Sequence, residues 1–116
     1  MNKKVMATIT DEYMNEMMAT TKPFTIAILK KGPNFGPDAM PIIWEHGRRN
    51  FSLKADGLLP VVCPIRDDVE MAGVGIFTTD VEETRKILNG DPAIEAGVLV
   101  YEVYPTRTFP GSSLPM

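Results

Sequence analysis

Two stretches near either end of the chain, Phe24 to Lys31 and Val98 to Tyr104, read as strands that are apolar on both faces. In the first, Phe24, Ile26 and Ile28 point one way and Ala27 and Leu29 the other. In the second, Val98 and Val100 face one side, while Leu99, Tyr101 and Val103 face the other. Side chains alternate across a strand, so both strands need cover above and below. The same two-sided apolarity places the last strand inside its sheet.

The residues between these strands supply the rest of a sheet and its helices. Asp38 to Asp56 reads as a helix, with Ile43, Trp44, Gly47, Phe51, Ala55 and Leu58 as its core stripe. Glu45, Arg49, Ser52 and Asp56 form its wet face, and Gly57 stops it. His46, the sole histidine, sits at the margin of the stripe beside Asn50 and Leu53, where it can look into a half-buried pocket. Leu58 to Ile65 is a second strand, and Pro60 and Pro64 share one parity. Proline withholds a ladder donor, so this is an edge strand. Glu70 to Thr79 is a third strand, whose Gly73 and Gly75 leave room above one face. Asp80 caps a further helix, with Glu82 and Glu83 in its first turn. Asp91-Pro92 opens a short helical turn that ends at Gly97.

Residues 1–22 form a separate extension. Thr10 caps a helix in which Tyr13, Met14, Met17 and Met18 make one apolar stripe. Such a helix suits packing on its own domain; the alternative is an arm reaching onto a second subunit. Residues 23–107 make the α+β domain, and residues 108–116, with Pro110, Gly111 and Pro115, read as a tail. The order is one helix, then β-α-β-β-α-β, the ferredoxin-like pattern. Two main helices cover one face of a four-stranded sheet. The other face is apolar as well, and a second copy packed against it satisfies the need. A homodimer is expected, with higher order left open.

Composition narrows the function classes. A formal net charge of −3 offers no phosphate-tracking surface, which argues against nucleic acid. The sequence has no apolar run long enough to span a bilayer. Lys3 and Lys4 are followed by Thr8, Thr10, Asp11 and Glu12 where a secretory signal needs an apolar stretch, so the expected location is the cytoplasm. The one cysteine, Cys63, excludes an internal disulfide, and a lone histidine lacks companions at any metal-ligand spacing. No cofactor or metal is expected. The loop from Gly32 to Gly36 includes Pro33 and is no phosphate cradle.

From about Phe24 to Pro105 the chain resembles the YCII-related family of the dimeric α+β barrel superfamily. The resemblance is carried by His46 followed by a helix to Gly57, by Cys63-Pro64-Ile65, and by the capped helix with Asp80, Glu82, Glu83 and Arg85. It continues through Asp91-Pro92 and Ala96-Gly97 to a last strand ending in Tyr104-Pro105. It implies a histidine and an aspartate beside a cleft, which fall on His46 and Asp91. A few family members are associated with lyase-type steps on chlorinated or hydroxylated aromatics. The chain departs from the family pattern at Gly47, at Arg48-Arg49 and at Cys63, where leucine, small or aromatic residues, and glycine are usual.

The chemistry expected on this basis is cofactor-independent proton transfer of the lyase or isomerase kind, on a small aromatic or carbonyl-bearing acid. An imidazole titrates near neutrality, and a carboxylate at one ring nitrogen fixes its tautomer and frees the other for substrate. His46 and Asp91 take these parts, with Arg66, Tyr101 or Tyr104 orienting the ligand. Each residue also has a plainer explanation: Asp91 as a helix cap, His46 as a satisfied boundary histidine, Cys63 as an inert thiol, Arg48-Arg49 as a solvated face. The alternative function is a non-catalytic module that binds a small ligand or assembles through its methionine-rich first helix.

Overall fold

The computed structural model describes residues 6–116. Its elements run α1 (Asp11–Ala19), β1 (Lys22–Lys31), a single 3-10 turn at Pro37–Ala39, α2 (Met40–Ala55), β2 (Val61–Pro64), β3 (Met71–Phe77), α3 (Val81–Asn89), α4 (Pro92–Glu95) and β4 (Leu99–Thr108). The strands form one antiparallel sheet in the order β2-β3-β1-β4. From β1 onward this is the ferredoxin-like βαββαβ topology. Among the described residues no helix is long and apolar enough to cross a membrane.

The prolines put β2 at an edge, and it lies there, pairing only with β3. The placement of β4 inside the sheet is corrected: β4 is the other edge and pairs only with β1, from Lys22↔Thr108 to Lys31↔Leu99. Apolarity on both faces reports what lies above and below a strand. It says nothing about neighbours on its two edges.

The helices cover one sheet face. Thr25, Ala27 and Leu29 of β1, Gly73, Gly75 and Phe77 of β3, and Leu99 and Val103 of β4 are buried there. Leu88 of α3 and Ala93 of α4 complete that core. At Gly75 a Cβ would lie 2.9 Å from Leu59 Cδ1, so any side chain there would push the Leu59 side chain aside. On the opposite face the alternation leaves Phe24, Ile26, Ile28, Val74 and Ile76 only half-buried and Val100 and Tyr104 exposed. Among the described residues, nothing therefore covers one apolar sheet face.

Local capping sets the helix starts. Asp80 accepts from Glu83 N at 2.8 Å, Thr10 from Tyr13 N at 3.1 Å, and Asp91 from Ala93 N at 2.8 Å. The expected packing of α1 on its own domain is not observed: no residue of α1 is buried. The expected stripe of α2 is also corrected. Trp44 and Phe51 are each 70% exposed, and the inward residues are Ile42, Ile43, His46, Arg49, Asn50 and Leu53. No α2 residue is fully buried, because the space beneath the helix is partly empty.

Candidate functional site

Between α2 and the glycine-bearing part of the sheet lies a cavity of about 430 Å³. Its floor includes Ala27, Leu29, Gly73 and Gly75, and its walls include Leu59, Val62, Ile65 and Phe77. His46, Asn50, Lys31 and Asp67 bring polar groups to this otherwise mostly apolar space. The size and the apolar lining suit a small organic ligand. Gly73 and Gly75 do leave room above the sheet, since no side chain rises from either.

His46 reaches the cavity from the middle of α2, with 12% of its side chain exposed. Asp91 approaches from the start of α4, with 1% of its side chain exposed. Asp91 Oδ2 lies 2.7 Å from His46 Nδ1. The other oxygen, Oδ1, accepts from Ala93 N at 2.8 Å. One carboxylate thus caps a helix and holds an imidazole at the same time, so its role as a cap does not exhaust it. Arg49, one turn along α2, brings Nη1 to 3.8 Å from the same Oδ2. That Nη1 is buried and has no hydrogen-bond partner among the described residues.

Burial pushes the Asp91 carboxyl up, but its hydrogen bond with His46, the imidazole's charge, the Ala93 amide and the Arg49 guanidinium together outweigh that. The acid is held below its ordinary value of 3.8. With Asp91 ionised, Nδ1 carries the proton and donates to it. In the neutral ring Nε2 keeps a lone pair, and Asn50 Nδ2 lies 3.2 Å away to donate to it. The imidazole is held from both sides. The two contacts fix the tautomer and the direction of the ring.

The residues expected to orient a ligand lie elsewhere in a single chain. Arg66 falls between the lining residues Ile65 and Asp67 but does not itself line the cavity. Tyr101 donates to Asn89 Oδ1 at 2.8 Å, at the α3 side of the sheet. Tyr104 stands on the open face and donates to Glu102 Oε1 at 2.9 Å. Glu102 also pairs with Lys30 at 2.8 Å. This neighbouring acid raises the Tyr104 hydroxyl's pKa above its ordinary value of 10.0. Cys63 is exposed at the edge of β2.

Sequence reasoning missed Asn50 and Arg49 as partners of the pair. Their spacing from His46, i+4 and i+3, puts all three on one helix face and was a usable signal. Lys31 was missed as a lining residue. Its Nζ lies 3.1 Å from Asp68 and 5.2 Å from the Phe35 ring centroid, at the end of β1.

No family model matches the chain, and no curated protein matches it. Among solved structures it is similar to 5-chloro-2-hydroxyhydroquinone dehydrochlorinase (TftG) from Burkholderia phenoliruptrix AC1100, in complex with 2,5-dihydroxybenzoquinone. That likeness has 16% identity and a TM-score of 0.45, over 69% of this chain and 90% of the other. It is also similar to the methylated RPA0582 protein, at 11% identity and a TM-score of 0.39, over 90% of this chain and 96% of the other. Likenesses this distant leave the activity of the present chain to be read from its own residues.

Proposed function

We propose that the chain is an acid–base enzyme of the lyase or isomerase kind, in which His46 removes a proton from a small aromatic or carbonyl-bearing acid. The observation that carries this reading is the 2.7 Å contact between His46 Nδ1 and Asp91 Oδ2 at the wall of a 430 Å³ cavity. The base is Nε2, once the ligand has displaced the Asn50 amide. Asp91 stabilises the imidazolium that forms and returns the ring to its starting tautomer. The proton taken from carbon goes back to the same skeleton in an isomerisation, or leaves with an anionic group in an elimination. Neither route needs an electron acceptor. Lys31 at the cavity wall suits the acid's negative charge, and the apolar walls suit its carbon frame.

The unit we propose is a homodimer. What supports it is the open sheet face, with Ile26, Ile28, Val74 and Ile76 half-buried in a single chain. A contiguous apolar face left open to water is characteristic of an interaction surface.

The test of the chemistry is solvent exchange. Small aromatic and keto acids are first screened for stabilisation by thermal shift, and those that bind are incubated with the protein in D2O. The expected result is enzyme-dependent incorporation of deuterium at carbon, lost in His46→Gln with binding retained. Binding without exchange, unchanged by His46→Gln, would leave the non-catalytic ligand-binding alternative in its place.

A further inference from the structure

The exposed side of α2 and the whole of α1 present two apolar stripes that nothing among the described residues of their own chain covers. On α2 the stripe is Met40, Trp44, Gly47 and Phe51, at i, i+4, i+7 and i+11. Met40 is 44% exposed, Trp44 and Phe51 each 70%, and a Cβ at Gly47 would meet nothing within 4 Å. Two large side chains therefore flank a gap at backbone level, a surface shaped to take another helix at close approach. On α1 the stripe is Tyr13, Met14, Met17 and Met18, of which Tyr13, Met14 and Met18 are 47%, 51% and 39% exposed.

α1 is fully capped without being packed. Thr10 closes its start, and the Thr20 and Thr21 hydroxyls donate to Met17 O and Met18 O at 2.7 and 3.0 Å. A helix this short is marginal in water unless an apolar face is covered. The chain has a radius of gyration of 17.3 Å, against about 13 Å for a compact chain of this length. That difference fits a chain whose α1 and exposed tail from Pro110 onward both lie off the body of the fold.

The two stripes match in length and in charge. Nine residues of α1 span about 13 Å, and the run from Met40 to Phe51 about 16 Å. α1 carries Asp11, Glu12 and Glu16 and no base. α2 carries one acid, Glu45, against Arg48, Arg49 and Lys54; Arg48 pairs with Glu45 at 3.1 Å, which leaves Lys54 as the exposed cation facing outward. Methionine side chains adapt to irregular gaps such as the one at Gly47.

We infer that α1 of one copy docks across the exposed stripe of α2 of a second copy, its methionines covering Trp44 and Phe51. Gly47 and Phe51 also line the cavity. The docked arm therefore borders the cavity mouth of its neighbour and narrows its entrance. This docking uses neither the open sheet face nor the His46–Asp91 pair, and it stands whether or not the cavity is catalytic.

Trp44 is the only tryptophan in the chain, so its fluorescence reads this contact directly. In the full-length protein, acrylamide quenching of Trp44 is measured across a dilution series, alongside Met14→Asp/Met18→Asp. The expected result is several-fold weaker quenching at high concentration than at high dilution, with the double variant fully quenched throughout. A second measurement does not depend on how that variant folds. In a Cys63→Ser background, tagged Met18→Cys chains are mixed with untagged Phe51→Cys chains and oxidised. A disulfide between the tagged and untagged chains is expected. Two outcomes overturn the inference: Trp44 equally quenched at every concentration, or a disulfide that forms only when both substitutions share one chain. Either can occur with deuterium exchange by His46 intact, so the two proposals fail separately.

Discussion

Replacing Asp91 by asparagine separates its two duties. The carboxylate serves Ala93 N at 2.8 Å through Oδ1 and His46 Nδ1 at 2.7 Å through Oδ2, with Arg49 Nη1 at 3.8 Å. Asparagine keeps an acceptor for Ala93 N and caps about as well as aspartate. It loses the charge and replaces Oδ2 by an amide that donates. A hydrogen bond to a charged, buried group contributes about 1.5–3 kcal/mol. The Arg49 contact is longer and that side chain is 29% exposed, so it adds less than about 1 kcal/mol. The expected loss is then about 2–3 kcal/mol, or roughly 8–12 °C in Tm for a chain of this size. Asp91→Ala also removes the cap, a further loss of about 1 kcal/mol.

The pH dependence has a definite sign. The folded-state pKa of Asp91 lies below its ordinary value of 3.8, so the ionised form is the one the fold favours. Its stabilisation is fully present above that ordinary value and is lost as pH falls through the depressed one. The Tm gap between the native chain and Asp91→Asn is therefore widest at neutral pH and closes below about pH 4. Differential scanning calorimetry from pH 3 to pH 7 measures it. A gap of no more than about 0.5 kcal/mol at neutral pH is what a surface substitution gives. That result would refute the claim that this carboxylate holds His46.

Two further outcomes bear on the cavity and on assembly. Gly73→Val grows a branched side chain from the cavity floor, where a Cβ would lie 3.3 Å from the Cys63 carbonyl oxygen and 3.8 Å from Pro64 Cα. Ligands that raise the Tm of the native chain are expected to leave this variant unmoved, and an equal shift in both would place their binding elsewhere. Ile26→Glu sets a charge in the open sheet face opposite Ile76. Light scattering is expected to report a sheet-face dimer for the native chain and its loss in this variant.

Much of the fold was legible because it is written in local chemistry. Pro60 and Pro64 located an edge, Asp80 and Asp91 located two helix starts, and the alternation in β1 and β4 announced a sheet with two apolar faces. The contact of His46 with Asp91 joins residues 45 positions apart. No periodicity contains such a contact, and only a family resemblance pointed to it. The errors share a physical source. A stripe drawn through the largest apolar residues of α2 runs through Trp44 and Phe51, which face out. β4 was set inside the sheet by treating covered faces as covered edges.

α2 is turned the wrong way round for a surface helix, and its two anomalies are one fact. Facing Trp44 and Phe51 inward would bury apolar area worth about 1.5–3 kcal/mol each. Instead the helix points His46, Arg49 and Asn50 at the interior. Polar groups tolerate that placement best when partnered: Asp91 bonds His46, Asn50 and His46 hold each other, and Arg49 has only the longer charge contact with Asp91 at 3.8 Å. Local rules are broken in this way where a site needs it, with compensation elsewhere. The inward polar residues call for a buried carboxylate, which α4 provides. The outward aromatics call for a cover, which no element of the same chain provides among the described residues. If the two proposals hold, the inner face of α2 serves chemistry and its outer face a neighbour, and the entrance of the cavity is tied to assembly, because Phe51 both lines the cavity and is exposed.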